Sequence, residues 1–183
     1  CNMKKLMLPD FFQASEVPIV HKFYRNYFKD CYVCGDVDYI FGPNTAFFDH
    51  CEIHSIARVS EEKAYITAAS TPAGQEFGLI FSHCRITGEE PDSVYLGRPW
   101  RDCAKTAFIC CELGDHICPE GWQNWGKVRA EVLSDYIEYG NFGPGADCSG
   151  RSPLSRCLVN PEVETYFSKE NVLVGEDGWI PAE

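Results

Sequence analysis

The sequence predicts an all-β chain wound as a parallel β-helix and closed by a short C-terminal helix. Three observations carry that prediction. A six-residue pattern, Phe-x-x-Cys-x-aliphatic, recurs four times. Short β-prone runs separated by Gly, Pro, Asn and Asp fill most of the chain. The composition, 45% hydrophobic and 14% aromatic over 183 residues, supplies one compact core and hardly enough length for two.

The four copies run Phe28 to Val33, Phe48 to Ile53, Phe81 to Ile86 and Phe108 to Leu113, and their Cys residues lie 20, 33 and 27 positions apart. On a strand, Cys and the aliphatic residue two places on share a face, whereas Phe three places before has the opposite parity. All three are buried only if the chain bends at the position just before Cys. A bend recurring at this spacing is the corner of a coil. Coils stacked about 4.8 Å apart then place Phe on Phe, Cys on Cys and aliphatic on aliphatic, with the variable spacing taken up in loops.

In chain order the expected strands include Val37 to Phe41, Ala64 to Thr67, Phe77 to Phe81, Thr106 to Cys111 and Ser134 to Tyr139. The run Asn141-Phe142-Gly143-Pro144-Gly145-Ala146-Asp147 breaks the pattern. After it, Asn160-Pro161-Glu162 reads as an N-cap with Pro at the first helical position, opening a helix to about Lys169. No linker composition divides the chain.

Charge narrows the partners. The net charge is −11, from 27 acidic against 16 basic residues, with no Lys/Arg cluster to track a phosphate backbone, so nucleic acid is not expected. No run approaches the roughly 18 apolar residues of a membrane-spanning helix, so no membrane span is expected either. An acidic surface also repels a polyanion, so an acidic polymer would be bound where it is locally neutral or where a specific Arg meets it. The eleven Cys leave at least one thiol unpaired. Buried, unpaired ladder thiols are preferred here over disulfides or zinc, because His50-Cys51 and His83-Cys84 are strand neighbours that point to opposite faces. No metal and no cofactor is expected.

Two polar constellations interrupt the apolar pattern. The first is Gly35-Asp36-Val37-Asp38-Tyr39-Ile40-Phe41-Gly42, and the second is Leu96-Gly97-Arg98-Pro99-Trp100-Arg101-Asp102. Together they offer a carboxylate nucleophile, an Arg to hold it ionised and an aromatic on which a sugar ring stacks. Taken singly each has a bland reading, since Asp near Gly is usually a turn residue and Arg beside Trp is usually a surface stack.

The chain resembles the pectin methylesterases. Gly35 to Gly42 is similar to that family's Gly-Thr-Val-Asp-Phe-Ile-Phe-Gly signature, and Leu96-Gly97-Arg98-Pro99-Trp100 matches its second signature without change. Further matches are Phe28 to Tyr32, Ile66-Thr67-Ala68, Pro119 to Trp122 with Trp125, Tyr139 to Ala146, and Gly178-Trp179. The resemblance covers residues 21 to 183, the C-terminal part of a right-handed parallel β-helix, and leaves 1 to 20 as a leader unlike the family. It implies Asp38 as nucleophile and Arg98 as its partner, with Trp100, Trp125, Phe41 and Val37 lining the substrate cleft. It also implies hydrolysis of galacturonosyl C6 methyl esters of pectin to carboxylate and methanol, outside the cytoplasm, in the cell wall or periplasm. Trp122 and Trp179 are expected in the core.

The departures bear on activity. The family's general-acid Asp lies 21 residues before the nucleophile, which in this chain is Val17, preceded by Glu16; the Gln side chains that stabilise the oxyanion are absent too. Losing a general acid costs about 10²–10⁴ in rate and losing an oxyanion donor about 10²–10³, so the chain alone is expected to turn over very little. Asp10, Gln13 and Glu16 are the nearby substitutes. Asp36, where the family has Thr, is expected to place a like charge near Asp38. The readings are therefore a pectinesterase whose partner is methyl-esterified homogalacturonan, or a non-catalytic pectin-binding β-helix or truncated gene product. Self-association is expected through an uncapped first coil.

Overall fold

A computed structural model describes residues 2–3, 6–7, 24–60, 62–175, 177–179 and 181. Asp10, Gln13, Glu16 and Val17 lie outside the described residues. The strands follow the coils in order. β1 (Asn2–Met3) and β2 (Leu6–Met7) come first, then β3 (Arg25–Lys29), β4 (Tyr32–Gly35) and β5 (Ile40–Gly42). Two further coils repeat the three-strand plan: β6 (Thr45–Asp49), β7 (Glu52–Ser55) and β8 (Ala64–Ala69), and then β9 (Leu79–Ser82), β10 (Arg85–Gly88) and β11 (Val94–Pro99). β12 (Lys105–Ile109), β13 (Glu112–Leu113), α1 (Ala130–Leu133), β14 (Asp135–Tyr139), β15 (Ser155–Leu158), α2 (Glu162–Tyr166) and α3 (Lys169–Leu173) complete the chain.

Corresponding strands pair in parallel into three sheets, β1-β4-β7-β10-β13, β2-β5-β8-β11 and β3-β6-β9-β12-β14-β15. This is the expected parallel β-helix. The corner before each ladder Cys bends as the parity requires: Asp30, His50, His83 and Cys110 have φ of 50°, 51°, 54° and 53°. Left-handed backbone in four non-glycine residues is costly alone. Here each corner N–H donates to the carbonyl of Asp49, Ser82, Ile109 or Tyr139 on the next coil at 2.8–3.0 Å, so the ladder sustains the bend.

Inside the coil Phe28, Phe48, Phe81 and Phe108 stack with centroids 4.8, 4.7 and 4.5 Å apart. Cys51, Cys84 and Cys111 are buried free thiols, and each Sγ donates to the Phe carbonyl of the preceding coil at 3.4 Å. A small donor fits the corner, where a larger side chain would break the ladder. Outside the longest sheet, Phe47, Ile80, Ala107, Ile109 and Ile137 point away from the coil and are covered by Phe167, Val172 and Leu173. That sheet is therefore buried on both faces, and the C-terminal helices are its lid.

Several expectations are corrected. The C-terminal helix starts where predicted, with Asn160 Oδ1 accepting from the Glu162 N–H, but it stops at Tyr166. Phe167 turns inward to the sheet, and a second helix begins after Ser168, whose hydroxyl caps the Asn171 N–H. Cys148 and Cys157 form a disulfide, so the cysteines are not all free. Trp179 is 39% exposed beneath Arg25 rather than in the core. The first coil is not bare, because β1 and β2 pair with β4 and β5; among the described residues β1, β2 and β3 are the end strands of the three sheets.

Candidate active site

Asp38 sits at the tight turn that leads into β5. Its φ is 47°, and its N–H donates to the Tyr65 carbonyl at 2.7 Å. Asp tolerates this left-handed backbone better than most residues, so the turn and the carboxylate are specified by one side chain. Asp36 is exposed and its carboxylate accepts from the Val37 N–H at 2.8 Å. The charge that meets Asp38 belongs to Arg98.

Arg98 reaches Asp38 from β11, two coils on. Nε lies 3.0 Å from Oδ1 and Nη2 lies 2.6 Å from Oδ2, a fork on a fork, with the two side chains 15% and 17% exposed. Such a bidentate pair fixes the plane of the carboxylate. The guanidinium is itself held flat, with Cζ 4.0 Å from the Tyr65 ring centroid and 4.4 Å from that of Trp125. Gly97 permits the approach, since a Cβ there would lie 2.1 Å from Thr67 Oγ1.

Trp100 follows at the end of β11, where Pro99 lacks a donor and the Trp100 N–H bonds the Ala69 carbonyl at 2.9 Å. Its ring stacks on Trp125 at 5.4 Å and meets Phe41 at 6.3 Å. Trp125 is held on a turn with φ of 51° and is 41% exposed. Val37 is half-buried beside Asp38. The structure thus brings Asp38, Arg98, Trp100, Trp125 and Phe41 to one side of the coil.

Three neighbours escaped sequence reading. Tyr65 donates to Gln123 Oε1 at 2.8 Å, and burial raises its pKa although Arg98 pulls it down. Lys127 donates to the Trp100 carbonyl at 2.5 Å and lies 4.9 Å from the Trp125 ring, its pKa lowered by burial and then by Arg101. The available signal was the placement of Gln123 and Lys127 on either side of Trp125. Behind this loop Trp122 is buried as expected and donates to Glu138 Oε1 at 2.9 Å, which in turn pairs with Arg151.

Comparison with known proteins agrees with this fold. A stacked coil of parallel strands is the architecture this chain shares with solved carbohydrate esterases. The Pectinesterase family model matches residues 14–176. Pectinesterase 31 of Arabidopsis thaliana is 39% identical over 140 residues, 75% of this chain and 43% of its own length. Pectinesterase 2 of Olea europaea is 36% identical over 145 residues, 79% of this chain and 38% of its own length. Among solved structures, pectin methylesterase from carrot superposes with a TM-score of 0.75 at 29% identity, covering 84% of this chain and 51% of the carrot chain. A pectin methylesterase in complex with a hexasaccharide superposes with a TM-score of 0.69 at 27% identity, covering 86% of this chain and 53% of that one. The chain belongs to the pectinesterase family. It spans less than half the length of these curated relatives and about half of the solved structures.

Proposed function

We propose that residues 21–183 carry the nucleophile half of a pectin methylesterase site and bind methyl-esterified homogalacturonan on the Trp100–Trp125 face. The bidentate Arg98–Asp38 pair carries this reading. Arg98 orients the Asp38 carboxylate toward the C6 ester carbonyl, while the neutral ester avoids the repulsion an acidic chain would impose on free galacturonate. Attack forms an acyl-enzyme and expels the methoxy group, which leaves as methanol only with a proton. Water then releases the carboxylate and restores Asp38. Arg98 is always charged and does not donate that proton. The position assigned to the donor is Val17, which has no proton to give, so the chain turns its substrate over poorly. Members of this class act outside the cytoplasm on wall pectin, the setting proposed here. Among the described residues no helix is long and apolar enough to cross a membrane. Among the described residues β3 ends its sheet, and that edge is the one through which self-association is proposed.

The test pairs binding with turnover. Titration with a methyl-esterified oligogalacturonide is expected to show saturable binding, weakened about tenfold by Trp100→Ala, in line with the loss of one stacking aromatic. Methanol release is expected near background, and Asp38→Asn should remove whatever remains. A folded sample that binds no oligosaccharide would overturn the reading. Rapid methanol release abolished by Asp38→Asn would keep the nucleophile and refute the missing proton donor.

A further inference from the structure

The corner ladder carries a second constellation, remote from Asp38 in the fold. His83 and Cys110 occupy equivalent corners of adjacent coils, and the His83 N–H bonds the Ile109 carbonyl at 2.9 Å, which fixes their register. Glu164 of α2 lies over them because Phe167, three residues on, is anchored in the outer apolar layer against Phe77. His83 Nε2 is 3.8 Å from Glu164 Oε1, and one ligand atom from each of His83, Cys110 and Glu164 falls within 4.8 Å of the other two.

We infer that His83, Cys110 and Glu164 form a binding site for a borderline divalent cation of the zinc class. Nitrogen, sulfur and carboxylate oxygen are zinc's ligands, and three protein groups with water in the fourth place make an open tetrahedral site. Metal–ligand bonds of about 2.0–2.3 Å put tetrahedral ligands about 3.4–3.6 Å apart, so modest side-chain rotation closes the set. The surroundings suit the role. Ser82 Oγ lies 3.0 Å from His83 Nδ1, and in the tautomer whose Nδ1–H donates to that hydroxyl Nε2 is free to ligate. The His50 ring stacks on His83 at 5.2 Å and 8°, and Asp49 holds its Nδ1 at 2.6 Å, which supports the His83 ring plane. His83 and Glu164 side chains are 42% and 52% exposed, so an ion has a path in.

The neighbouring His-Cys pairs of the sequence do not share an ion, because the two residues of each pair face different ways. Ligands instead come from two coils and a helix. A bound ion would join α2 to the coil corner and hold the lid of the outer layer in place. The same geometry without a metal is an ordinary His–Glu ion pair beside a thiol, which would show no stoichiometric affinity for zinc.

The test is equilibrium dialysis of the full chain against zinc, repeated with cobalt for its thiolate charge-transfer absorption. No reductant is added, so that Cys148–Cys157 stays closed and offers no thiolate. One equivalent should bind, and zinc should raise the thermal midpoint. Cys110→Ser and Glu164→Gln should each weaken binding at least tenfold and remove the cobalt–thiolate band or the thermal shift. His83→Asn, which keeps a residue tolerant of the left-handed corner, should do the same. Cys103→Ser, at another half-exposed thiol, should leave binding unchanged. Absence of stoichiometric binding, or binding indifferent to the three ligand changes, would overturn the inference.

Discussion

Replacing Arg151 with Ala should be among the most damaging single changes outside the site. Arg151 is 4% exposed and Glu138 2%, with Nε on Oε1 at 2.9 Å and Nη2 on Oε2 at 3.0 Å. The same guanidinium donates to the carbonyls of Pro119 at 3.0 Å and Gly145 at 2.6 Å. Among the described residues the variant leaves the buried Glu138 carboxylate with the Trp122 indole N–H alone, at 2.9 Å, and unpairs two carbonyls. Breaking one side of a buried pair costs about 3–5 kcal/mol. For a chain of 183 residues, each kcal/mol moves the melting midpoint by about 2–4 °C, so a fall of about 10 °C is expected. Calorimetric melting of the parent and the variant measures it. The double variant Glu138→Leu with Arg151→Met, which removes both charges together, should be less destabilised than Arg151→Ala alone. Trp122 lies three residues before Trp125, so oligosaccharide affinity should fall in Arg151→Ala as well. A midpoint within about 3 °C of the parent would show that the pair does not hold the loop.

Phe81→Ala empties the middle of the aromatic column between Phe48 and Phe108, where Phe81 is 0% exposed; urea unfolding should record a loss of about 3–5 kcal/mol, and a loss under about 1 would refute the stacked core. His116 is buried with neither ring nitrogen hydrogen-bonded among the described residues, and burial pushes its pKa down to about 4. Between its ordinary value and about 4 the unfolded chain binds the extra proton, so acidification through that window should cost about 3 kcal/mol of stability, and His116→Leu should flatten the loss in melts run against pH. Reducing Cys148–Cys157, which spans 9 positions, should destabilise the chain by about 2–3 kcal/mol, seen as a lower midpoint that Cys148→Ser reproduces without reductant.

The coil was legible because its signal is local and repeated. Side-chain parity demanded a bend just before each ladder Cys, and Asp30, His50, His83 and Cys110 supply it. The meeting of Asp38 with Arg98 was not legible from pattern, since 60 residues separate them and only the stacking of β5, β8 and β11 brings them together; there the family signatures did what spacing did not. Tyr65 hid because an aromatic in a β-prone run reads as core, and its ring indeed serves as a floor beneath Arg98. The split C-terminal helix was missed because helical capping at Ser168 competes with the pull of the outer sheet on Phe167, a tertiary effect. The pairing of Cys148 with Cys157 depends on how the end strand folds back, which spacing does not reveal.

The stacked Trp100–Trp125 pair has an optical consequence. Two indoles 5.4 Å apart and inclined by 26° couple their excited states and give a paired circular-dichroism band. Trp122, packed on Tyr136 in the interior, and Trp179, beneath Arg25 at the surface, lie outside that stack. Trp122 also couples to Tyr136, at 4.2 Å, so the platform's share is the part of the spectrum that Trp100→Ala removes. That difference signal follows the geometry of the aromatic face in an unlabelled sample.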